Sequence, residues 1–99
     1  MITAYILDNC HYSNEAEKLL NQYKIKSNII RVPQDEKIKN ELKKKHKMNT
    51  FPQIFINYNK TQKIPIGGYS ELSNYIYVIN SLKSQNINID ILYLLNNLM

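Results

Sequence analysis

Cys10 is the only cysteine in the chain, and Ser13 stands three residues on, in the stretch "LDNCHYSNEAEKLL". That is the spacing at which a redox pair carries its second thiol. One cysteine cannot form an internal disulfide, so any thiol chemistry here runs through a single sulfur. The run "ITAYIL" (2–7) is β-branched and apolar and reads as a buried strand. From Tyr12 to Tyr23 the pattern sets Ala16, Leu19, Leu20 and Tyr23 on one helical face, with Glu15 and Glu17 in the first turns. Cys10 therefore falls where a strand ends and a helix begins. A helix N-terminus offers unpaired N–H groups and partial positive charge, and both favour the thiolate, which is the nucleophile. A lone cysteine is also often just a small buried apolar residue, and position alone does not separate the two readings.

The elements that must position this sulfur follow in order. "SNIIRV" (27–32) is a second strand, ended by Pro33. Gln34 or Asp35 starts a helix with Ile38 and Leu42 as its inward pair. "QIFINY" (53–58) and "QKIPIG" (62–67) form a hairpin across Asn59-Lys60, and Pro65 places the latter at a sheet edge. "ELSNYIYVINSL" (71–82) is a helix carrying Leu72, Tyr75, Ile76, Ile79 and Leu82 inward, and a further helical segment from about Asn88 carries Ile91, Leu92, Leu94, Leu95 and Leu98. The order β-α-β-α-β-β-α implies one α/β domain over 1–99, with a core over 1–83 and a helical extension over 84–99. Its four-stranded mixed sheet has helices on both faces.

Two more features join Cys10. Pro52 stands immediately before the third strand in "TFPQIFI", and Gly67-Gly68 immediately before a helix in "IGGYSEL". With them the chain resembles the glutaredoxin family, whose fold is thioredoxin-like. The family's C-P-Y-C is here Cys10-His11-Tyr12-Ser13, its T-V-P is Thr50-Phe51-Pro52, and its G-G-x-[ST]-[DE] is Gly67-Gly68-Tyr69-Ser70-Glu71. The resemblance covers roughly residues 2–83 and keeps the family's order and element boundaries.

The resemblance implies a glutathione-dependent thiol–disulfide oxidoreductase of monothiol type. Cys10 would attack, Ser13 would hydrogen-bond the thiolate, and Tyr12 would pack beside the site. The Phe51–Pro52 bond would be cis, with the Phe51 backbone pairing with glutathione as with an added strand. Gly68 would take an unusual φ and let the backbone approach. The N–H groups of Tyr69 and Ser70 would hold the γ-glutamyl carboxylate, Glu71 the ammonium, and Lys39 the glycyl carboxylate. Taken singly, Gly67-Gly68 is also an ordinary turn and Lys39 also a solvated lysine. The chain departs from many relatives in lacking a lysine shortly before the cysteine, and in placing His11 where proline is usual.

The totals bound the alternatives. Hydrophobic residues make up 43% and charged residues 21% of 99, a globular composition. No apolar run reaches a membrane span. No signal peptide is read at the N-terminus, so a reducing, cytoplasmic setting is expected. The net charge is +5, and residues 35–48 hold six lysines. No aromatic residues interleave with them, so no nucleic-acid partner is expected. The expected partners are glutathione and glutathionylated proteins or small disulfides, and the expected state is a monomer. Two other functions stay open. One is a [2Fe–2S] carrier, dimeric, with Cys10 as the protein's ligand. The other is a partner-binding module with a vestigial site.

Overall fold

The computed structural model describes residues 2–84. The elements are β1 (Ile2–Leu7), α1 (His11–Gln22), β2 (Ser27–Val32), α2 (Glu36–His46), β3 (Gln53–Asn57), β4 (Lys63–Gly67) and α3 (Tyr69–Ser84). The helical segment expected beyond Asn88 lies outside the described residues. The strands form one mixed sheet in the order β2-β1-β3-β4. β1 runs parallel to β2, from Ile2↔Ser27 to Leu7↔Val32, and antiparallel to β3, from Ile2↔Ile56 to Tyr5↔Gln53. The β1-α1-β2 crossover accounts for the parallel pair, and the short 58–62 connection for the antiparallel β3–β4 hairpin. β4 is an edge, and Pro65 sits there opposite Phe55, beside a register shift between Ile54 and Phe55. An edge tolerates a residue that cannot donate to the ladder.

Alternation along β1 divides the core. Ile2, Ala4 and Ile6 join Ala16 and Leu20 of α1, Ile54 of β3, and Leu72 and Ile76 of α3 in one cluster. Leu7, Val32 and Phe51 form a second cluster, against which Tyr5, Cys10 and Leu42 of α2 pack. So α1 and α3 cover one face of the sheet and α2 lies at the other. A buried side chain such as Leu20 stabilises the first face by about 1.5–3 kcal/mol.

Some expectations need correction. Ile38 is exposed and α2 has no buried residue, so only Leu42 of the expected inward pair reaches the core. Tyr23 is exposed at the C-cap of α1 and does not extend its inner face. Because α1 begins at His11, Glu15 and Glu17 lie past its first turn. They make ion pairs instead, Glu15 with Lys18 and Glu17 with Arg31 of β2. The hydrogen bond and charge of Glu17 raise the Arg31 guanidinium above its usual range. α3 starts two residues earlier than its hydrophobic pattern indicates, at Tyr69.

Candidate active site

The β1–α1 junction fixes the sulfur. β1 ends at Leu7, and Asn9 takes a left-handed conformation (φ 57°), which asparagine tolerates better than most residues. Cys10 is then the N-cap of α1, with extended backbone (φ −106°, ψ 124°). Its side chain makes no capping hydrogen bond. The Cys10 Sγ instead lies 3.9 Å from the Phe51 carbonyl oxygen, within reach of a weak S–H donor. Cys10 is half-buried, so the sulfur is neither sealed in the core nor fully in solvent.

Ser13 has a structural role one turn into the helix. It is fully buried, and its Oγ accepts from the Leu7 N–H at 3.1 Å. Leu7 lies beyond the last β1–β3 pair, Tyr5↔Gln53, so its N–H has run out of ladder. Ser13 supplies the missing acceptor and ties α1 to the end of β1.

Phe51 and Pro52 arrive from the other side. Both are buried, and the Phe51–Pro52 peptide is cis, as the resemblance implies. Thr50 is exposed, but its carbonyl turns inward and accepts from Gln53 Nε2 at 3.3 Å. The third segment is the start of α3. A Cβ built on Gly68 would stand 3.6 Å from the Pro52 carbonyl oxygen, an ordinary contact that shows how closely the segments meet. The unusual φ belongs to Gly67 (+129°), not to Gly68. A Cβ on Gly67 would also come within 2.6 Å of Glu71 Oε1, so a substitution there is strained by its φ and would push the Glu71 side chain off its cap.

Glu71 caps its own helix. Its Oε1 accepts from the Gly68 N–H at 2.8 Å, the return half of a capping box. The first helical bond of α3 runs from Leu72 N–H to the Gly68 carbonyl, so the Tyr69 and Ser70 N–H groups precede the ladder. Tyr12 and Tyr69 meet at 6.0 Å between ring centroids, and His11 sets its ring edge to face with Tyr12 at 5.2 Å. These rings link the starts of α1 and α3 along the rim. Lys39 stands apart. Its Nζ donates to Gln34 Oε1 at 3.1 Å and Glu36 Oε1 at 2.9 Å, and Gln34 Nε2 donates to the Asp8 carbonyl at 2.6 Å. That chain connects α2 to the turn just before Cys10.

Thus the fold brings Cys10, Phe51, Pro52 and Gly68 to one place, with Tyr12 and Tyr69 at its edge. A cavity of ≈ 370 Å³ opens elsewhere, between α1 and α3 at Leu19, Tyr23, Ile76 and Tyr77. That hollow holds no cysteine, and an extended peptide laid on backbone needs an open groove like the one beside Cys10.

The glutaredoxin family model matches residues 2–59, a span that contains Cys10, Thr50, Phe51 and Pro52. The chain belongs to the glutaredoxin family. Family membership makes this domain a glutaredoxin-like thiol oxidoreductase. The fold agrees with solved members. The solution structure of glutaredoxin from Brucella melitensis superposes with a TM-score of 0.61 at 26% identity, over 82% of this chain and 85% of that one. The crystal structure of the buckwheat glutaredoxin–glutathione complex superposes with a TM-score of 0.61 at 20% identity, over 77% of this chain and 67% of that one. Glutaredoxin 1 from Francisella tularensis, crystallised with cacodylate, gives a TM-score of 0.60 at 24% identity, over 81% and 95%. No curated protein sequence matches the chain.

Sequence reasoning missed two residues here. Gln53 is fully buried and donates from Nε2 to the carbonyls of Thr50 and, more distantly, Met48. His46, the last residue of α2, places Nδ1 2.7 Å from Gln53 Oε1. A polar residue at the head of an otherwise apolar strand was the available signal for Gln53. Nothing local marks His46. Among the described residues no three His, Cys, Asp or Glu side chains gather as a metal-ligand set, and no helix is long and apolar enough to cross a membrane.

Proposed function

We propose that this glutaredoxin-family domain reduces protein–glutathione mixed disulfides by a monothiol route through Cys10. The observation that carries this reading is the Cys10 sulfur at a helix N-cap, 3.9 Å from the carbonyl of the peptide segment before β3. The Cys10 thiolate attacks the glutathione sulfur of the mixed disulfide. The bond between that sulfur and the substrate's sulfur breaks, and the substrate leaves as a thiolate that takes a proton from water. A second glutathione, as its thiolate, attacks the glutathione sulfur now bonded to Cys10. Oxidised glutathione departs and the Cys10 thiolate returns. Overall one reduced glutathione is consumed: its sulfur joins the glutathione sulfur of the mixed disulfide as oxidised glutathione, the substrate sulfur returns to the thiol, and no second protein thiol takes part.

The groove offers partners for each end of the tripeptide. The Phe51 backbone serves as the edge for its cysteinyl portion. The N–H groups of Tyr69 and Ser70 receive the γ-glutamyl carboxylate, with Glu71 beside its ammonium. Lys39 exchanges Glu36 for the glycyl carboxylate. Support for glutathione as the ligand comes from the buckwheat relative, whose structure is of a glutathione complex. A [2Fe–2S] cluster on Cys10 would draw its remaining ligands from glutathione and a second copy; His11 in place of the usual proline leaves room for it.

The test is reduction of a small glutathione mixed disulfide, coupled to glutathione consumption. The wild-type chain turns over and Cys10→Ser loses all measurable turnover. A Cys10→Ser protein as active as wild type would overturn the reading.

A further inference from the structure

We propose that His46 is a positioning residue of the glutathione groove, acting through Gln53 on the segment Met48–Phe51. The inference rests on the groove reading above, but its contacts are independent of it. Gln53 is fully buried, and its amide has one workable orientation. The NH2 group faces two carbonyl oxygens, of Thr50 at 3.3 Å and Met48 at 3.5 Å. Turned over, the amide would set oxygen against oxygen. Gln53 Oε1 is therefore the acceptor of the 2.7 Å contact, and His46 Nδ1 must carry a proton.

His46 is itself held on three sides. Its ring lies 4.7 Å from Tyr5 and 4.8 Å from Phe55, centroid to centroid. Lys47 turns α2 off in a left-handed C-cap (φ 55°), and Met48 N–H returns to the Lys43 carbonyl at 3.1 Å. The imidazole is thus a fixed donor, and Gln53 relays its position to the segment that ends in the Phe51 carbonyl facing Cys10. Removing the donor leaves a buried amide oxygen unpaired and lets Gln53 turn, releasing Thr50 and Met48. His46 touches no reacting atom, so the effect falls on groove shape and not on the sulfur.

Two variants separate the hydrogen bond from ring packing. His46→Phe keeps a ring against Tyr5 and Phe55 but has no donor. His46→Asn loses the ring but keeps an N–H as many bonds from the backbone as Nδ1. In His46→Phe the KM for glutathione rises about fivefold to tenfold, kcat stays near wild type, and iodoacetamide alkylates Cys10 at the wild-type rate. His46→Asn restores KM. In the wild type, nitrogen-15 NMR of the neutral imidazoles places the His46 proton on Nδ1. The Gln53 side-chain amide protons exchange about tenfold faster in His46→Phe. An unchanged KM in His46→Phe, an equal rise in both variants, or a His46 proton on Nε2 would each overturn the proposal. If the wild type has no glutathione-dependent turnover, the function reading falls, and amide exchange alone decides the positioning: acceleration upholds it and no change rejects it.

Discussion

Glu71 holds two jobs that can be pulled apart at the level of one side chain. Its carboxylate accepts from the Gly68 N–H, which starts α3, and it packs against Gly67, where a Cβ would displace it. As the proposed partner of the γ-glutamyl ammonium, it also contributes charge. Glu71→Gln keeps an oxygen for Gly68 and removes the charge. We expect its stability to change by less than about 0.5 kcal/mol while its KM for glutathione rises. Glu71→Ala loses both functions, and its stability falls by about 1 kcal/mol. Urea unfolding beside steady-state kinetics reads the two effects separately. An unchanged KM in Glu71→Gln would leave Glu71 with the capping role alone. Ser13 is a second case: its Oγ accepts from the Leu7 N–H and completes the β1 ladder, while its O–H stays available for the thiolate role that its position three residues after the cysteine suggests.

The helices carry unequal shares of the stability. α1 and α3 place Ala16, Leu20, Leu72 and Ile76 in the main cluster, whereas α2 buries no residue fully and reaches its face through Leu42. Leu20→Ala is expected to cost about 2–5 kcal/mol and Leu42→Ala below about 2 kcal/mol, measured by urea unfolding. Equal losses would mean that α2 packs as firmly as α1. This contrast also explains what was legible. β1 and β2 begin and end where their apolar runs do, because burial within a sheet writes a local pattern. The α2 pattern misled, since Ile38 has helical spacing but stays exposed. The α3 start was two residues late, because the cap is set by Gly68 and Glu71 and not by hydrophobic period. Cys10, Pro52 and the glycine pair were visible as residue types at element boundaries. The His46–Gln53 link was not, because it joins the end of one element to the head of another through side chains alone.

Across the whole molecule, charge and topology work together. The chain carries +5, with six lysines within residues 35–48, so most of the excess sits on α2. Leu42 of that helix packs on the same cluster as Cys10, which sets the basic helix beside the thiol. Glutathione has two carboxylates and one ammonium, so it approaches as an anion. Its encounter with this face should be steered electrostatically, and steering weakens as salt shortens the screening length from about 30 Å at 0.01 M to about 10 Å at 0.1 M. The expected result is a kcat/KM for glutathione that falls across that range while kcat holds. Replacing exposed Lys37, Lys44 and Lys45 together by Gln should lower kcat/KM at low salt and flatten its salt dependence. These three lysines are exposed and make no hydrogen bond or ion pair with the proposed groove residues, so kcat should not move. A wild-type kcat/KM indifferent to salt would confine the lysine helix to solubility. It would also leave Lys39, held inward by Gln34 and Glu36, as the one cation of α2 with a proposed part in binding.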